Sequence, residues 1–151
     1  MNLRRPQVLI LIAFGLFFFL GISALMARAL SATGTERAKA VDVARAEARG
    51  DVGAVLRMTP ACAKDAACSA ATRAFAGKLK RPGHVEVLQY QPSVQMALSD
   101  EVGTGRLAWR AGNGLPVVQC IRVKRSDPLT GGGGVELLAV SKPIGNQAPC
   151  P

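Results

Sequence analysis

Aromatic side chains are scarce in this sequence, as are histidine, acidic residues and closely spaced cysteine pairs. Of 151 residues, one is Trp, one Tyr and five Phe; beyond Phe19 only Phe75, Tyr90 and Trp109 remain. Stacking on nucleobases needs exposed rings, so nucleic acid is not an expected partner despite the basic charge. The core must be built from Ala, Val and Leu. With a single histidine, His84, no Ser–His–Asp arrangement is available beyond that residue. The four cysteines, Cys62, Cys68, Cys120 and Cys150, contain no Cys-x2-Cys pair, the usual zinc spacing. No metal and no cofactor is therefore expected. Ten acidic residues stand against 19 basic ones, a net charge of +9. A surface of that sign favours anionic neighbours such as phospholipid headgroups or acidic envelope polymers.

Charge is also missing from one long stretch. Residues 8–26, "VLILIAFGLFFFLGISALM", would make a helix of about 28 Å, close to the hydrocarbon thickness of a bilayer. A cleavable leader has an apolar region of only about 7–15 residues. Ala27-Arg28-Ala29 has a small-x-small look, but cleavage after Ala29 would set Arg28 beside the scissile bond. The expected organisation is a cytoplasmic stub (1–7), a retained transmembrane signal anchor (8–29), a linker (30–34) and an extracytoplasmic domain (35–151). Arg4 and Arg5 mark the amino end as cytoplasmic, whereas Arg28, Arg37 and Lys39 follow the run and oppose a simple count. The short stub and the downstream cysteines decide for the amino-in orientation.

In an oxidising compartment the even cysteine set reads as disulfides, with three connectivities open. The preferred pairs are Cys62–Cys68, closing the short loop "CAKDAAC", and Cys120–Cys150, pinning the terminal "QAPCP" to a strand.

Within the domain, residues 35–49 read as a helix capped by Thr35, with Val41, Ala44 and Ala48 on one face. Arg49-Gly50-Asp51 spells an adhesion motif, but Gly50 as a helix terminator and Asp51 as the next cap explain it better. A helix over 51–58 ends at Thr59-Pro60. Another covers 69–79, with Ala70, Ala74 and Phe75 inward and Lys78, Lys80 and Arg81 suiting its dipole. The period then changes to two. Strands are expected at 84–91 (Val85 and Val87 on one side, Leu88 and Tyr90 on the other), 103–112 (Leu107 with Trp109), 115–125 and 134–144. In 115–125, Val117, Ile121 and Val123 face inward while Arg122 and Lys124 face outward. Pro92 separates the first strand from "SVQMALS" (93–99), a further strand or an edge. Gly112-Asn113-Gly114 reads as a hairpin turn. Gly131 to Gly134 reads as a flexible hairpin loop; no helix follows it, so a phosphate cradle is not expected. Asp100 and Glu101 fall in a turn-like stretch. Helices followed by a meander give an α+β domain, its helices on one face of a curved antiparallel sheet.

The basic stub and span, the helix–Gly-Asp–helix segment "ARAEARGDVGAVLRM" and the strand series "GRLAWRAG", "PVVQCIRVKR" and "VELLAVSKPI" cover most of residues 35–144. On these the chain resembles small membrane-anchored extracytoplasmic proteins of actinobacteria with a nuclear-transport-factor-2-like (cystatin-like) domain. The resemblance implies a cone-like roll. It also implies one of three roles: a non-catalytic binding or assembly module of the cell envelope, a scaffold subunit of a conjugation or type IV secretion machine, or a small-ligand-binding cone. An isomerase-type site needs an acid–base pair and an oxyanion donor in one pocket. His84 and Glu86, at i and i+2, are the one pair to consider, and no enzyme activity is expected. Candidate ligand or partner contacts are His84, Glu86, Tyr90 and Trp109, which would line a cone, and Arg122, Lys124 and Arg125 on the outer strand face. The expected partners are membrane lipid, through the amino-terminal helix, and a protein at the membrane surface, with self-association open.

Overall fold

A computed structural model describes residues 5–93, 100–126, 134–145 and 147–150. One helix dominates it. Helix α1 runs without interruption from Arg5 to Arg49. Its apolar residues between Val8 and Met26 are exposed, and it is long and apolar enough to cross a membrane. Residues 30–34, expected as a linker, are helical. Gly34 weakens a helix by only about 1 kcal/mol relative to alanine. Thr35 does not cap a new helix; its hydroxyl donates back to the Ser31 carbonyl at 3.0 Å. Beyond it, one stripe of α1 is buried: Glu36, Ala40, Val43, Ala44, Glu47 and Ala48. This stripe contains Val43 where the sequence suggested Val41.

Gly50, with φ at +72°, ends α1 in the left-handed region. Asp51 then caps α2 (Val52–Met58), its carboxylate accepting from the Ala54 N–H at 2.8 Å. Pro60 does more than stop α2: it opens a short helix, α3 (Pro60–Lys64). Asp65 caps α4 (Ala66–Ala76) by accepting from Cys68 N–H at 2.8 Å, so this helix begins three residues before the expected Ser69. A 3-10 turn follows over Gly77–Leu79. The buried residues here are Thr72, Ala76 and Leu79 with Phe75 half-buried, whereas Ala70 and Ala74 face solvent. The inner stripe is therefore rotated from its expected position.

Four strands, β1 (Val85–Gln91), β2 (Glu101–Ala111), β3 (Val117–Arg125) and β4 (Val135–Val140), form an antiparallel sheet in chain order. Glu101, expected in a turn, opens β2. Residues 94–99 and 131–133, most of the expected additional strand and glycine loop, lie outside the described residues. Leu107, Trp109, Ile121, Val123 and Leu137 pack against Ala40, Val43, Ala44 and Ala48 of α1. Small residues at these helix positions let the backbone of α1 approach the sheet, so a core nearly free of aromatics can still be filled. In β1 the register shifts between Val87 and Gln89. The extra residue, Leu88, turns outward, and Tyr90 joins Val85 and Val87 on the core side rather than opposing them.

Disulfides join Cys62 to Cys68, with Cα atoms 5.2 Å apart, and Cys120 to Cys150, 5.7 Å apart. The second ties the carboxyl-terminal segment over the outer side of β3. Arg106 of β2 donates to the Ala148 carbonyl at 2.9 Å, and Ile144 pairs with Val118. Val118 and Cys120 are buried there although they point away from the core. Cys120→Ser is expected to lower stability by about 2–4 kcal/mol through loss of the 30-residue closure. Thermal melting of the non-reduced, detergent-solubilised chain measures it; a melt equal to the parent's would rule out a stabilising crosslink.

Candidate functional site

Two glutamates sit on the buried stripe of α1, at positions 36 and 47, and each organises a polar cluster. Glu36 has no accessible surface. Its carboxylate accepts five hydrogen bonds: from the Tyr90 hydroxyl, from the N–H and hydroxyl of Ser93 at 2.8 and 3.0 Å, and from Arg125 Nε and Nη2 at 2.7 and 2.5 Å. Arg125, itself buried, completes an ion pair between α1 and the end of β3. Burial, then the Glu36 carboxylate, pushes the Tyr90 phenol above its ordinary value and keeps it a donor. Two glycines in β2 make the room. A Cβ at Gly105 would lie 3.2 Å from Glu36 Oε1, and one at Gly103 would lie 2.7 Å from the Ser93 carbonyl oxygen.

Glu47, three helical turns further on, belongs to a relay through the core. Trp109 Nε1 donates to Gln119 Oε1 at 2.9 Å, and Gln119 Nε2 donates to Glu47 Oε1 at 2.9 Å and to the Ser141 carbonyl at 3.1 Å. Glu47 Oε2 is buried without a partner among the described residues. Burial raises the pKa of Glu47 to about 7, an effect that the Gln119 hydrogen bond partly offsets.

The expected contact residues do not converge. Trp109 is core, with no accessible surface. Tyr90 serves Glu36. Glu86 is exposed and pairs with Arg110 across the β1–β2 ladder at 2.7 Å. The outer basic face is broken up: Arg122 is exposed, Lys124 pairs with Asp100 at 3.3 Å, and Arg125 turns inward because odd-numbered residues of β3 face the core. Of these residues, His84 lines an open groove of about 580 Å³ at the far end of α1.

That groove was not legible as a site, because its residues come from three separated segments. Arg45 and Arg49 lie in the last turns of α1, Lys80 and Arg81 follow the 3-10 turn, and His84 precedes β1. Its floor is aliphatic, with Ala48 and Val85, and no acidic side chain among the described residues lines it. Asp42, one turn back on α1, pairs with Arg45 at 3.2 Å. Arg81 donates its backbone N–H to the Ala48 carbonyl at 2.9 Å and its guanidinium to the Leu115 carbonyl at 3.1 Å, which fixes the wall. The side chains of Arg49, Lys80 and His84 have no hydrogen bond or ion pair among the described residues. The run Lys78, Lys80, Arg81, explained from sequence by a helix dipole, thus contributes two of its members to a concave basic surface.

Comparison with protein families, with curated proteins and with solved structures yields no match to this chain.

Proposed function

We propose that this protein is a non-catalytic binding or assembly module of the bacterial cell envelope, anchored by the apolar part of α1 and exposed on the extracytoplasmic side. The observation that carries this reading is the continuity of α1: one helix supplies both the apolar stretch and the buried stripe of the domain. Two disulfides fit an oxidising compartment, which argues for the carboxyl-terminal part outside and the amino terminus inside. The resemblance to nuclear-transport-factor-2-like domains agrees with helices set against an antiparallel sheet and would make the sheet the wall of a cone. Trp109, Leu107 and Ile121 fill the space beneath it, which favours an assembly or surface-binding role over a ligand held inside. A scaffold in a conjugation or type IV secretion machine is one form of such a module.

The expected result in cells is that the full-length chain stays in the membrane fraction after carbonate washing. Its lysines, all of which follow the apolar run, should react with a membrane-impermeant amine reagent in spheroplasts. A soluble form beginning at Leu30 would show cleavage instead of anchoring. Lysines protected until lysis, together with reduced thiols, would place the domain inside the cell.

A further inference from the structure

We propose that the basic groove at the end of α1 binds a multivalent oxyanion, a ligand group carrying one or more phosphates. This gives the envelope module a ligand class and rests on the preceding reading only for the groove's place outside the bilayer.

Four basic side chains, Arg45, Arg49, Lys80 and Arg81, and the His84 imidazole surround one concavity of about 580 Å³. That volume lies within the range of small-ligand sites, about 300–1,000 Å³. Cations near a helix carboxyl end often serve its last carbonyls. Here other groups already occupy three of them: Gly50 N–H bonds to Glu47 O at 2.8 Å, Asp51 N–H to Ala46 O at 2.9 Å, and Arg81 N–H to Ala48 O. The Arg49 and Lys80 side-chain heads are therefore not required as caps. Like charges gathered around a concave surface repel one another, and an anion seated among them relieves the repulsion. Guanidinium forks match the oxygen pairs of phosphate, and the aliphatic floor suits the stem that carries it.

Position narrows the source. Arg49 lies about 35 Å beyond Met26 along the helix axis, at about 1.5 Å of rise per residue. Headgroups of the anchoring bilayer end far short of this height. The phosphate must come from a soluble or polymeric molecule, or from an opposing membrane.

The test uses the full chain in phosphatidylcholine nanodiscs, titrated calorimetrically with inorganic tripolyphosphate and, in a second arm, mixed with phosphatidylglycerol vesicles in a flotation assay. Binding is expected in at least one arm. It should weaken about tenfold or more in Arg49→Gln/Lys80→Gln, where two charge-assisted contacts are removed and much of each aliphatic stem is kept. Arg122→Gln, on the outward face of β3, should leave it within about twofold as a control for general charge. Tripolyphosphate binding identifies a soluble or polymeric source, and vesicle binding alone identifies an opposing bilayer. No binding in either arm, or equal weakening by Arg122→Gln, overturns the proposal. These measurements do not depend on cellular location, so a failure here is separable from a failure of the labelling experiment.

Discussion

Glu36→Ala is expected to destabilise the folded chain by about 3–5 kcal/mol, because it leaves the Arg125 guanidinium buried without its counter-charge. The loss also strands the Tyr90 hydroxyl and both donors of Ser93. Tyr90→Phe, which removes one of the five hydrogen bonds and little else, should cost about 1 kcal/mol. Denaturant unfolding of the detergent-solubilised protein, followed by Trp109 fluorescence, measures both. If Glu36→Ala unfolds within about 1 kcal/mol of the parent, the carboxylate does not hold α1 to the sheet. A secondary effect follows from geometry: Glu36 is the link between α1, the end of β1 and the last residue of β3, so that corner should lose amide protection first.

Stability should also depend on pH through Glu47, in the direction opposite to that of a salt-bridged acid. Its ordinary value is 4.5, and burial lifts it to about 7 in the folded chain. Below the lower value both states hold the proton and the folded state has its full stability. As pH rises, the unfolded chain releases the proton first, so folding loses free energy until the folded carboxyl also ionises near pH 7. The total loss across that window is on the order of 3 kcal/mol. Glu47→Gln keeps the shape and stays neutral. It should flatten the profile between about pH 4.5 and 7 and raise stability at pH 8 by an amount of the same order. Parallel profiles for parent and variant would show that Glu47 is not the group titrating. Trp109 fluorescence provides a local readout, since the indole N–H reaches Glu47 through Gln119.

Much of the fold follows from patterns that act locally. Gly50 and Asp51 fix the break between α1 and α2 by backbone geometry and capping, and both effects are set within three residues. Alternation places Leu107, Trp109, Val117, Ile121 and Val123 on the core face, as the period of a strand requires. What periodicity alone could not settle was phase. In the segment after Thr35, a face built on Val41 competes with one built on Val43. The sheet selects the latter because Glu36 and Glu47 then meet Arg125 and Gln119. Two carboxylates spaced eleven residues apart on the stripe of Ala40 and Val43 were a visible sign of buried polar partners. Likewise, one extra residue at Leu88 reverses the side on which Tyr90 falls, and no count of alternating residues carries that information. Asp65, three residues ahead of Cys68, was the legible signal for the earlier start of α4. Arg125 cannot share the outward face of Lys124, because neighbours in a strand face opposite ways. The basic groove needed the fold itself, since only the fold brings residues 45–49 and 80–84 together.

The unbroken path of α1 sets a rotational phase between its exposed apolar segment and every face of the domain. Inserting one residue between positions 27 and 34 would turn the domain by about 100° around the helix axis and lift it by about 1.5 Å. Seven inserted residues would restore its heading to within about 20° while raising it by about 10 Å. Neighbours docked at a fixed azimuth would be lost after the first change and regained after the second, whereas a flexible tether would be indifferent to both.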